Sequence, residues 1–287
     1  MDLRALAMGL LFAAIWSSAF TSARILVQYA PPFAALALRF AISGALAVLI
    51  ARLMGQRLSL TRRQWIAVVL FGVCQNALYL GLNFLAMQSI EASLAAIIAS
   101  MLPLLVAAAS WLALGERLSA IGLVGLAAGA VGVLTVMGAR LGAGADPVGI
   151  VLCLIGVAAL TLATLLVRGA IEGGNLLMIV GAQMLVGAVA LLPVSLLFEE
   201  LVVDWTLPLI VAFVYTTLVP GLAATILWFA LVRRIGATRA ATFHFLNPFL
   251  GVAIAAVILG EALTLRDAAG VAIIMAGILA VQWSRAR

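Results

Sequence analysis

Lysine is absent from this 287-residue sequence, histidine occurs once, cysteine twice, and charged side chains make up only 9%. Each scarcity excludes a kind of chemistry. The sixteen basic residues are all arginines and lie mostly between apolar runs, so a net charge of +6 and a pI near 10.6 mark membrane topology rather than a nucleic-acid groove. Cys74 and Cys153 both fall inside apolar segments without CxxC or metal-ligand spacing; neither a disulfide framework nor a metal site is expected, and no cofactor. His244 is the lone histidine, and no HExxH, GxSxG or paired-carboxylate pattern accompanies it, which leaves an intramembrane enzyme few acid–base options. No Asp or Glu falls at mid-span, where a proton-carrying pump needs one.

What is present is apolar. Hydrophobic residues make up 67% and the mean hydropathy is +1.31, far more apolar surface than a water-soluble domain of this length buries. The expected fold class is an all-α integral membrane protein. A spanning helix takes about 20 apolar residues, and the runs divide into ten spans near 5–28, 33–54, 64–86, 92–113, 119–138, 147–167, 175–197, 206–231, 238–259 and 267–283. Short connections leave no room for an extramembrane domain, so function must sit between helices. The bilayer and a small-molecule solute are the partners this implies; the oligomeric state is not legible, and a monomer suffices.

The chain also repeats itself. Pro103/Pro248, Gly115/Gly260, Glu116/Glu261, Leu118/Leu263, Gly125/Gly270 and Gly132/Gly277 share one offset of 145 residues. The first span resembles the sixth, at Gly9/Gly149, Ile15/Ile155, Ala19/Ala159, Thr21/Thr161 and Ala23/Ala163, so the N-terminal apolar run reads as part of the fold and not as a cleavable leader. Two domains follow, 1–141 and 142–287. With the N-terminus in the cytoplasm, twelve arginines lie inside, Arg140 and Arg266 lie outside, and Arg24 and Arg39 lie within spans, which satisfies the positive-inside rule. Both termini are then cytoplasmic. Five helices per half is an odd number, so the halves are inverted relative to one another, the arrangement with which secondary transporters expose one midplane site to alternate sides.

Several stretches carry a family resemblance: Trp16-Ser17-Ser18 with Phe20, Pro32 followed by Arg39-Phe40, Leu102-Pro103, Leu114-Gly115-Glu116-Arg117, Asn247-Pro248, and Leu259-Gly260-Glu261. In this order and spacing the chain resembles the drug/metabolite transporter superfamily, in its ten-helix form built from two EamA-type repeats. The resemblance covers nearly the whole chain. It implies a bacterial inner-membrane exporter of small metabolites, amino acids foremost, with drugs or nucleotide-sugar-like solutes as the alternative cargo. A passive solute channel is the rival of a different class.

Candidate site residues cluster on a few spans. Asn76, Tyr79 and Asn83, with Gln75 beside them, are spaced three and four apart on the third, either walling a solute cavity or bonding between helices. Ser17, Thr21, Arg24 and Gln28 share such spacing on the first, and Thr161, Thr164 and Arg168 repeat it on the sixth. Arg24 either meets an anion or snorkels to the interface; Arg39, deeper in its span, must face protein or water, as a gate or an electrostatic element. Pro103 and Pro248 are hinge candidates, each depriving a carbonyl four residues earlier, of Ala99 and of His244, of its helical donor. Corresponding breaks in two repeats point to a transporter's site, which brings His244 and Asn247 to the cavity; His244 either couples transport to protons or is a hydrogen-bonded structural residue. Pro220-Gly221 weakens the eighth span beside Tyr215, a third hinge. Trp16, Tyr215, Trp228 and Phe243 fall within spans as cavity candidates, whereas Trp65, Trp205 and Trp283 fall at interfaces. Glu116 and Glu261, near Arg117 and Arg266, read as structural clamps, because a carboxylate at a helix C-terminus opposes the macrodipole unless cations or backbone donors compensate. Gly122, Gly125, Gly129 and Gly132 form a smooth stripe for close helix approach, within the chain or between copies.

Overall fold

The computed structural model of the chain describes residues 2–166 and 175–286. Ten helices long and apolar enough to cross a bilayer run through it: α1 (Leu3–Leu26), α2 (Pro32–Leu53), α3 (Arg62–Ala86), α4 (Ala92–Ala113), α5 (Ala120–Gly142), α6 (Pro147–Leu166), α7 (Leu176–Phe198), α8 (Leu207–Ile235), α9 (Arg239–Leu259) and α10 (Leu265–Ser284). In hydrocarbon a helix satisfies every backbone group internally. The outer surface is correspondingly greasy, with Val257 85% and Val189 73% exposed, side chains that only lipid would cover.

Local sequence sets the helix ends. Asp2 accepts the Ala5 N–H at 2.9 Å as N-cap of α1, and Thr61 forms a reciprocal capping box with Gln64 on α3. Gly115 and Gly260 stop α4 and α9 at φ +67° and +69°, a left-handed conformation that glycine adopts without a Cβ penalty. The repeated Gly-Glu pair is therefore a helix stop that aims the next side chain. Glu261 is aimed across the molecule, where its two oxygens accept the Ala92 and Ser93 N–H groups at 2.8 and 2.9 Å and cap α4. Of the two expected compensations, a nearby cation or backbone donors, it is backbone donors that Glu261 finds, the unpaired N–H groups of a helix start.

Glu199, at the end of α7, caps α2 the same way through Phe33 and Ala34, at 2.7 and 2.9 Å. Gln56, beyond α2, returns the favour by accepting the Met178 N–H of α7 at 3.1 Å. Each half thus closes helix starts of the other.

The two halves interlock about a pseudo-two-fold axis. α2 packs on α7 and α5 on α10; α1 packs on α8 and α9, and its counterpart α6 packs on α3 and α4. At the α5–α10 seam a Cβ on Gly277 would stand 2.6 Å from the Gly125 carbonyl, and one on Gly132 would stand 2.8 Å from the Gly270 carbonyl. The glycine stripe therefore serves packing within the chain. Arg140, at the end of α5, bonds Asp267 of α10 at 3.0 Å and also pairs with Glu91. Asp2 pairs with Arg234 of α8, and this guanidinium, with the Ala5 N–H, holds its carboxyl down at about 2. Asp146, ahead of α6, accepts the Ser89 hydroxyl at 2.7 Å, and its carboxyl is likewise lowered, chiefly by that bond.

Four of the ten helices are irregular, in corresponding pairs. α3 widens into a π-helix over Gly72–Tyr79 and α8 over Val219–Ala223. α4 is interrupted at Ser100–Met101 just before Leu102-Pro103, and α9 tightens to a 3₁₀ turn over Thr242–Leu246 before Asn247-Pro248. Tightening solves the proline problem at His244: its carbonyl accepts the Asn247 N–H and does not stand without a donor.

Candidate solute site

The four irregular segments face one another around a central cavity of ≈ 270 Å³. Residues of α1, α2, α3, α4, α6, α8 and α9 line it, so both halves contribute walls. Of the residues expected there, Tyr79, Asn83, His244, Trp16, Trp228, Arg39 and Pro220 reach the lining, together with Gln75 and Thr164. Asn83 is fixed by its amide, which donates to the Tyr79 carbonyl at 2.7 Å and accepts the Cys153 thiol at 3.4 Å.

Arg39 is held by a consequence of the Pro220-Gly221 pair. Proline has no N–H to give the carbonyl four residues back, so the Thr216 carbonyl turns outward and accepts Arg39 Nε at 3.2 Å. The neighbouring Thr217 carbonyl accepts Ser43 Oγ at 3.0 Å, one turn further along α2. Glycine at 221 keeps this approach close: a Cβ would lie 3.1 Å from the Thr216 carbonyl and 3.2 Å from Ser43 Oγ, and those neighbours would have to give by a few tenths of an ångström.

Aromatic rings form the other end of the cavity. Phe12 stands 4.8 Å from Trp228, 5.6 Å from Trp16 and edge-on to His244 at 5.4 Å between centroids. The Asn247 side-chain amide lies 2.9 Å from His244 Nδ1 and ties the ring to the start of the Asn247-Pro248 turn.

Other expected members stand elsewhere. Asn76 donates to the Gln183 carbonyl of α7 at 2.8 Å; the π segment turns it off the face that Tyr79 and Asn83 share. Tyr215 exchanges a 2.7 Å hydrogen bond with Ser18 and ties α8 to α1. Asn247 supports His244 from behind the lining, and its carbonyl accepts from Ser17 at 3.5 Å. Pro103, Pro248 and Gly221 shape the helices around the cavity without lining it. Arg24 sits at the rim, donating to the carbonyl of Met87 beyond α3. Arg168 lies outside the described residues. The sequence reading missed the apolar lining, Phe12, Phe20, Phe71, Phe84, Met87, Leu102 and Leu160, because such residues are too common in every span to stand out.

An inverted pair of five-helix bundles, crossed at mid-depth by matched helix irregularities around a shared cavity, is the architecture of a secondary transporter of small solutes. The EamA-like transporter family matches this chain twice, over residues 3–138 and 147–283, and the chain belongs to it. A protein of Bacillus subtilis (strain 168) named an uncharacterized transporter, YvbV, is 26% identical over 268 residues, covering 93% of this chain and 88% of its own length. A solved crystal structure shares the fold with a TM-score of 0.70 at 22% identity, covering 98% of this chain and 99% of that one. The protein is a multi-pass membrane transporter and not an enzyme.

Proposed function

We propose that this transporter exports or exchanges small polar metabolites, amino acids foremost, by alternating access. The observation that carries the reading is the pairing of irregularities: π segments in α3 and α8, and interruptions in α4 and α9, all meeting at one cavity. Swapping conformations between halves 1–141 and 142–287 would open that cavity to one face and then the other. Its ≈ 270 Å³ lies at the small end of ligand sites, which run to about 1,000 Å³. That favours a small metabolite over a nucleotide sugar. Pro103, Pro248 and the Pro220-Gly221 pair are the hinges of this motion; the membrane is a bacterial inner membrane, and the arginine distribution supports cytoplasmic termini.

The test is counterflow of labelled amino acids into proteoliposomes holding the purified protein, with a nucleotide sugar and a cationic dye in parallel. Saturable amino-acid exchange without a proton gradient is expected. Exchange of another solute with silence for amino acids would overturn the substrate class, and non-saturating flux would replace the carrier with a channel.

A further inference from the structure

We infer that Arg39 is the anion subsite of the central cavity, and that the cavity's solutes carry a carboxylate on an apolar body. The inference rests on the reading of this cavity as the solute site and narrows what it accepts.

Arg39 is only 6% exposed, yet it belongs to the cavity wall. Its guanidinium has five N–H donors in a fixed fork, and among the described residues it makes one hydrogen bond, through Nε to the Thr216 carbonyl. Otherwise it rests against rings, its Cζ 5.2 Å from the Phe40 centroid and 6.0 Å from that of Phe84. Among the described residues no Asp or Glu lines the cavity. Glu199, which sits at the start of the same helix, spends both oxygens on the Phe33 and Ala34 N–H groups.

Guanidinium stays charged inside proteins, and a buried charge in a membrane interior ordinarily finds a partner within the fold. Here Arg39 belongs to the wall of the solute space and its Nη donors make no hydrogen bond among the described residues; a carboxylate fills such a fork with two parallel hydrogen bonds. The rest of the wall sets the body of the solute. Phe12, Trp16, Phe20 and Trp228 present rings and no charge, so the end of the solute away from its carboxylate is apolar and flat. A primary ammonium finds only neutral acceptors there, such as the amide of Asn83, and its charge is repelled by Arg39.

A charge series on one skeleton tests this. Binding of 3-phenylpropionate, phenylalanine and phenethylamine to the purified full-length protein in detergent is followed by tryptophan fluorescence, since Trp16 and Trp228 border the cavity. The anion and the zwitterion are expected to bind, and the amine at least tenfold more weakly. Arg39→Gln should weaken the anion at least tenfold and erase the preference over the amine, and Arg39→Lys should restore part of it as a point charge without a fork. Equal binding of amine and acid to the unaltered protein would overturn the proposal without any variant, as would binding of none of the three. An unchanged affinity for the acid in folded Arg39→Gln protein would do the same. Trp16→Ala separates the underlying reading: if it leaves every affinity unaltered, the cavity is not the binding site, whereas lost affinity with no charge preference removes the anion subsite alone.

Discussion

Two amides on one helix illustrate how position decides the work of a residue. Asn76 and Asn83 both lie on α3 and both are buried, but Asn76 crosses to the Gln183 carbonyl of α7 while Asn83 borders the cavity. An interhelical hydrogen bond of the first kind contributes about 0.6–2 kcal/mol in a membrane. Asn76→Ala should therefore lower the thermal midpoint in detergent while leaving the transport rate per folded molecule as it was. Asn83→Ala should lower that rate at least tenfold at nearly unchanged stability. If both variants lost transport equally, the division between strut and lining would be wrong. Simple three-and-four spacing put both amides on one face, and nothing in Gly72–Tyr79 announces a π turn, since no proline lies within it. The lone histidine and the deep arginine were legible because each is rare in such a sequence. The groups that fix them, the Asn247 amide for one and the Thr216 carbonyl for the other, follow from local backbone geometry that residue type alone does not give.

At the scale of the element, the repeated glycines and prolines carried most of the readable structure. Gly125, Gly132, Gly270 and Gly277 were visible as two pairs one repeat apart, and they meet crosswise where α5 and α10 touch. A valine at 277 would drive its Cβ into the Gly125 carbonyl and the Gly129 backbone, at 2.6 and 2.7 Å. Backbone cannot swing aside as a side chain can, so overpacking of about 1–3 kcal/mol is expected. Gly277→Val should lower the melting temperature by several degrees, whereas Gly138→Val, on the same pair of helices but facing open space, should not. Equal effects of the two would mean that helix propensity and not close approach sets the cost. The capping carboxylates were harder to read. Glu261 was recognisable as one of a repeated pair, but its bonds to Ala92 and Ser93 span 169 and 168 residues of chain, and Glu199, which does the same for α2, belongs to no repeated motif. Long-range partners of this kind are fixed by topology, and only the assembled fold brings them together.

For the whole molecule, the cavity lies between two walls, α1 with α8 on one side and α3 with α6 on the other. On the face away from the termini Arg24 of α1 links these walls by donating to the carbonyl of Met87 at the end of α3. That carbonyl carries the negative end of the α3 dipole, which favours a cation there. Met87 is itself part of the lining, so the contact sits at the mouth of the site, where Arg24 would act as a latch. Under the exchange mechanism proposed above, releasing the latch shifts the population toward the state open on that face. A hydrogen bond from a charged donor contributes about 1.5–3 kcal/mol, and about 1.4 kcal/mol is a tenfold change in an equilibrium. With Cys74 and Cys153 replaced and a single cysteine placed at Ala19 on the cavity wall, an impermeant maleimide applied to the face away from the termini should react roughly tenfold faster when Arg24→Ala is added. Arg24→Lys should lie between the two, because it keeps the charge and loses the fork. Labelling that is indifferent to residue 24 would mean that the walls are held apart or together by packing alone, and that this arginine serves only the end of its own helix.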